Sequence, residues 1–158
     1  MSDQAMRMFL SEENIKRHKE FVNSLRLKRS ILEKSDSKAM RIDGRLKREA
    51  EYLDWQIKSH ELFLGSFSSA VKRSAKGESI RYKLYLECMD HENGFLYIYF
   101  DRGLRTKSVA DNWSIPNKEK CLCLDLYEHC YFLDYGFKKD KFLKNMLPYL
   151  DIERLLDN

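Results

Sequence analysis

The chain has 158 residues, of which 43% are hydrophobic, 13% aromatic and 34% charged, a length near the mode for one domain and enough to bury roughly 70% of the unfolded surface without a disulfide or metal. Six Gly and two Pro exclude collagen-like and low-complexity chains, nine Phe and nine Tyr argue against disorder, and no apolar run approaches the ~20 residues of a membrane span. The net charge of +4 is uneven, with 17 Lys/Arg against 11 Asp/Glu in residues 1–77 and 12 against 14 in residues 78–158; because the bases are interleaved with acids and lack an RGG or RNP pattern, they read as a solvated surface and nucleic acid is a disfavoured partner.

Residues 1–10 are expected to form a tail; Asp3 and the shortness of the apolar stretch exclude a signal peptide. Ser11 suits an N-cap, with Glu12 and Glu13 in the first turn of a helix carrying Ile15, Val22, Leu25 and Leu32 at helical spacing. Ser35-Asp36-Ser37 breaks that pattern and can cap a second helix. On it Leu46, Ala50, Leu53, Ile57, His60, Leu64 and Phe67 keep one stripe facing a partner, and Gly44 marks a kink or a late onset. Residues 11–76 are therefore expected to be an antiparallel helical hairpin.

After Gly77 the period changes. Ile80, Tyr82, Leu84 and Leu86 alternate with polar residues and predict a half-buried strand, followed by a hairpin loop over Asp90 to Gly94. Phe95–Phe100, Leu104–Val109 and Lys120–Leu126 read as further strands, and Lys139–Leu156 as a helix interrupted near Pro148. The fold class is thus α+β: the hairpin, then an α+β domain over 77–158 in which a small antiparallel sheet is followed by C-terminal helices.

Two polar positions interrupt apolar patterns. His60 sits on the stripe of the second helix, where a buried imidazole needs partners, either the hydrogen bonds of a core histidine or a metal. Asp125 ends a very apolar strand and His129 follows four residues later; a buried carboxylate is expensive unless paired or bound to a cation. Two imidazoles and one carboxylate suit iron or manganese better than zinc or calcium. Cys88, Cys121, Cys123 and Cys130 read as buried, reduced thiols of a cytoplasmic protein, since Cys121-x-Cys123 has neither zinc-ribbon nor thioredoxin spacing.

Asp125-x-Tyr127-Glu128-His129-Cys130-Tyr131 resembles the D-x-W-E-H-A-Y signature of iron/manganese superoxide dismutases. Ser59-His60-Glu61-Leu62-Phe63, Arg17-His18-Lys19-Glu20-Phe21-Val22-Asn23 and Gly94-Phe95-Leu96-Tyr97 are similar to that family's second-helix, first-helix and G-W-x-W segments. The resemblance spans about residues 11–155 and identifies the chain as a divergent, shortened member. It implies dismutation of superoxide to dioxygen and hydrogen peroxide, one iron (or manganese) ion per chain, and His60, Asp125 and His129 as ligands. It further implies a homodimer in which Glu128 reaches the opposing subunit, and Gln56 as the group that hydrogen-bonds metal-bound solvent, a placement that favours iron. Arg17, where a gateway histidine is usual, would draw in the anionic substrate.

The departures define the alternatives. The resemblance implies a first-helix ligand histidine at position 13, which is Glu13. Glu13 is either a first-turn carboxylate stabilising its helix or a substitute ligand. His18, five residues on, is turned by about 140° on a 3.6-residue helix and is expected to flank the site or face the other subunit. Phe21 lacks the hydroxyl of the family's tyrosine, and Phe95, Tyr97 and Tyr127 replace tryptophans. A catalytically inactive relative, serving as a dimeric interaction module or another metal-binding protein, is the alternative function.

Overall fold

A computed structural model describes residues 2–34, 44–108, 114–116 and 120–157. The chain is α+β: among the described residues four helices, α1 (Ser2–Met6), α2 (Glu12–Lys34), α3 (Gly44–Leu64) and α4 (Ala75–Asp90), precede strands β1 (Phe95–Phe100), β2 (Leu104–Ser108) and β3 (Cys121–Asp125). Helices α5 (Glu128–Tyr135) and α6 (Lys139–Met146), a 3-10 turn at Leu147–Tyr149 and α7 (Ile152–Leu156) complete it. The strands form one antiparallel sheet in the order β2-β1-β3.

The two long helices run antiparallel. Phe21 meets His60, whereas His18 meets Phe63, and Arg29 pairs with Asp54 at 2.9 Å. Their contact faces follow the expected periodicity: Ile15, Val22 and Leu25 on α2, and Ala50, Leu53, Gln56, His60 and Phe63 on α3, are buried. Gly44 is the first residue of α3. The proposed cap at Ser35 to Ser37 lies outside the described residues.

Three local expectations differ from the structure. The tail is a short helix and turn whose Ala5, Met6, Phe9 and Leu10 enter the core, where Phe9 packs on Phe67 with ring centroids 4.8 Å apart. The strand expected at Ile80 to Leu86 is the middle of α4. Its buried positions are Ile80, Leu84 and Cys88, spaced by four, while Tyr82 (65% exposed) and Leu86 (48%) face outward. Aromatic and aliphatic residues exposed on a helix imitated the period of a strand. The Ser74 side chain caps this helix by accepting from the Gly77 N–H at 2.9 Å. The segment Asp90 to Gly94 consequently joins a helix to β1 and is not a hairpin loop.

Strand β3 is buried along its whole length, and β1 is buried from Phe95 to Ile98. Both carry apolar side chains on either face because helices cover both sides, α3 against β3 and α7 against β1. The Tyr97 hydroxyl, deep in this core, accepts from Trp55 Nε1 at 2.7 Å and is joined to the Ser59 hydroxyl, tying α3 to the central strand. All four cysteines are buried and free.

Candidate metal centre

Four elements converge where β3 ends. Asp125, the last residue of β3, is paired in register with Phe95 of β1 and is completely buried. Its Oδ1 accepts the backbone N–H of Tyr127 at 3.1 Å, an Asx-type turn that stops the strand and starts α5. His129 therefore arrives in the first turn of α5, and its Nε2 donates to Asp125 Oδ2 at 3.1 Å. The D-x-x-x-H spacing is thus a strand-to-helix turn that folds both side chains onto one point.

His60 approaches from α3. Its Nδ1–H donates to the Gln56 carbonyl at 2.7 Å, and burial holds the ring toward its neutral form against the opposing pull of Asp125. That tautomer leaves the Nε2 lone pair, which has no hydrogen-bond partner among the described residues, 3.7 Å from Asp125 Oδ2. Two acceptors thus lie close together in the core, too far apart for a hydrogen bond. A cation satisfies both, so the donor set fits a metal ion.

His18, on α2, is also buried and neutralised mainly by desolvation. One ligand atom from each of His18, Asp125 and His129 lies within 4.8 Å of the others, a group able to hold a metal ion. Sequence reasoning placed His18 at the flank; the signal available was its phase, since Ile15, His18, Val22 and Leu25 share one face of α2. Glu13 stands outside this group: it lies on the exposed face and receives Arg17 Nη2 at 2.8 Å. Its first-turn, surface reading therefore describes the structure, and the substitute-ligand reading does not.

The electrostatics follow from burial. Desolvation pushes the Asp125 carboxyl up, but the His129 hydrogen bond and the charges of His129, His60 and His18 outweigh it and hold the group below the usual carboxylate range. For His129 desolvation lowers the pKa, yet the hydrogen bond and charge of Asp125 raise it overall.

Aromatic rings enclose the group. Phe95 stands edge-on to His60 at 5.0 Å, Phe21 edge-on to it at 5.3 Å, and Tyr127 stacks on His129 at 5.3 Å. Gln56 is buried one turn before His60, and its Nε2 donates to the Tyr52 hydroxyl at 3.1 Å. The outer side opens into a pocket of about 600 Å³, where Arg17, Phe132 and Leu133 surround His18, Phe21 and His129. Glu128 is exposed in the first turn of α5.

Residues 83–157, from the middle of α4 to the end of α7, match the profile of the iron/manganese superoxide dismutases, C-terminal domain. A comparison with curated proteins finds no match. The matched stretch contains β3, the Asp125 turn and His129, which is where the ligand geometry concentrates. Over residues 83–157, just under half of its length, the chain is thus similar to the C-terminal domain of the iron/manganese superoxide dismutases.

Proposed function

We propose that this protein is a superoxide dismutase-like redox metalloprotein of the iron type, holding one ion per chain on His60, Asp125 and His129. The observation that carries the reading is the Nε2 atom of His60, buried without a hydrogen-bond partner among the described residues and 3.7 Å from the Asp125 carboxylate. A redox-active iron or manganese bound there supplies the one-electron chemistry that dismutates superoxide to dioxygen and hydrogen peroxide.

The chain's own residues set the conditions. The Gln56 carbonyl fixes the tautomer of His60, and the Tyr127 N–H orients Asp125. Gln56, buried one turn before His60 with its Nε2 on the Tyr52 hydroxyl, would supply the hydrogen bond to solvent at the ion. Phe95, buried edge-on to His60, shields the inner side of the group from water, which strengthens the charge interactions there. Arg17, at the mouth, attracts an anion, although its guanidinium is partly neutralised by Glu13. A homodimer fits the open side of the site, where the half-exposed Phe132 and Leu133 line the pocket with a His129 side chain that is 47% exposed, and Glu128 is exposed on the same helix. Four free thiols suit a reducing compartment such as the cytoplasm.

The test is metal analysis of the purified chain reconstituted anaerobically with ferrous iron, and separately with manganese. About one ion per chain is expected, lost in His60→Ala and Asp125→Ala, together with consumption of superoxide by the iron form. Loading far below one ion per chain overturns the reading. A second reading, a metal-binding relative without turnover, is favoured by Phe21, which presents no hydroxyl beside His60. Full loading without superoxide consumption would select it.

A further inference from the structure

Three imidazoles, not two, face the buried carboxylate, and the third comes from an unexpected turn of α2. We infer that His18 is the first-helix ligand of this metal centre, doing from position 18 what Glu13 cannot do from position 13; this rests on the metal-binding reading of His60, Asp125 and His129. His18 is 4% exposed, shares a compact ligand-atom group with Asp125 and His129, and packs within 5.9 Å of the His129 ring.

The rotation of α2 decides the matter. Buried Asn14 donates through Nδ2 both to the Cys130 carbonyl at 2.8 Å and to Asp134 Oδ2 at 3.0 Å, and the Ser11 N–H reaches the same carboxylate oxygen at 2.9 Å. These bonds clamp the first turns of α2 to α5. Val22 and Leu25, buried farther along the same face, hold the remainder against α3. Five residues correspond to about 140° around a helix, so with His18 inward Glu13 lies outward, where it pairs with Arg17. Turning Glu13 inward breaks the Asn14 bonds and exposes Val22 and Leu25. His18 Nε2 lies 3.5 Å from the Cys130 carbonyl, a distance at the limit of a hydrogen bond. The ring is thus only weakly satisfied by the protein.

The experiment compares the full chain with His18→Ala, His18→Gln, Glu13→Gln, His60→Ala and the double variant His18→Ala/Glu13→His. Manganese affinity is measured by chelator competition, and imidazole ligands on the iron-loaded protein are counted by X-ray absorption. Three imidazoles are expected in the unaltered chain. His18→Ala and His18→Gln should weaken manganese binding about tenfold or more, the scale on which metal sites respond to lost ligand support, and lower the count to two. Glu13→Gln should change neither readout, and the double variant should not recover affinity. His18→Gln keeps a buried polar side chain and serves if the alanine variant fails to fold. Unaltered affinity and count in the His18 variants, with loss in His60→Ala, overturn this inference alone. Recovery in the double variant overturns it as well, and no uptake by the unaltered chain removes the metal centre altogether.

Discussion

A completely buried carboxylate such as Asp125 costs several kcal/mol of desolvation unless neighbouring donors or a cation answer it. Here one oxygen is answered by the Tyr127 N–H and the other by His129, and the surrounding histidines hold the carboxyl ionised. The spacing of Asp125 and His129 was legible in the sequence because it is local, four residues across one turn. The polar anomaly of His60 was legible because a histidine stood on an apolar stripe. Tyr97 was read only as a replacement for a tryptophan. Its hydroxyl serves both Trp55 Nε1 and the Ser59 hydroxyl in the core. Tyr97→Phe leaves those two groups without their shared partner and should cost about 1–3 kcal/mol, measured by chemical denaturation. A cost under half a kcal/mol would show that both groups find other partners.

At the scale of elements, α4 shows how the tertiary environment overrides an alternating pattern. Its N-terminus is anchored to α7: Ser74 caps the first turn, Arg81 Nη1 donates to Glu153 Oε1 at 3.0 Å, and Arg81 Nη2 donates to the Leu150 carbonyl at 2.8 Å. Gly77 permits this approach, since a Cβ there would fall 2.2 Å from Glu153 Oε1. Gly77→Ala must displace a carboxylate already held by Arg81 and Ser74, and should lower stability by about 1–3 kcal/mol, read as a reduced denaturation midpoint.

The same anchor predicts a pH dependence. Burial raises the Glu153 pKa, but the hydrogen bonds and charge of Arg81 together with the Ser74 N–H bring it below its ordinary value. A carboxylate whose folded pKa is depressed contributes fully above its unfolded pKa of about 4.3, and that contribution is lost as pH falls through the folded value. Glu153→Gln should therefore be about 3 kcal/mol less stable than the unaltered, metal-free chain at pH 7. The difference should shrink below about pH 4. A difference that stays constant down to pH 2 would mean that the carboxylate charge contributes nothing to the anchor.

At the scale of the whole molecule, the centre joins α2, α3, β3 and α5, so an ion bound there ties both halves of the chain together. Binding to the folded state alone stabilises by about 2.7 kcal/mol when free metal is a hundred times Kd. For a chain of this length that corresponds to a rise in Tm of roughly 5–10 °C. Calorimetry with and without iron or manganese measures it, and a Tm indifferent to saturating metal contradicts a site at this junction.

The sequence by itself determined the α+β class, the two long helices, strands β1, β2 and β3, and the four-residue spacing of Asp125 and His129. Each is encoded in periodicity or spacing over a few residues, which local backbone sterics and burial enforce. Only the tertiary structure decided which residue of α2 meets the buried carboxylate. The spacing of Ile15, His18, Val22 and Leu25 marks the inward face of that helix, but what this face meets is set by Asn14 bonding to residues 116 and 120 positions away, which no local pattern reports. The same holds for α4, whose outward apolar residues mimic a strand until α6 and α7 establish which side is inside.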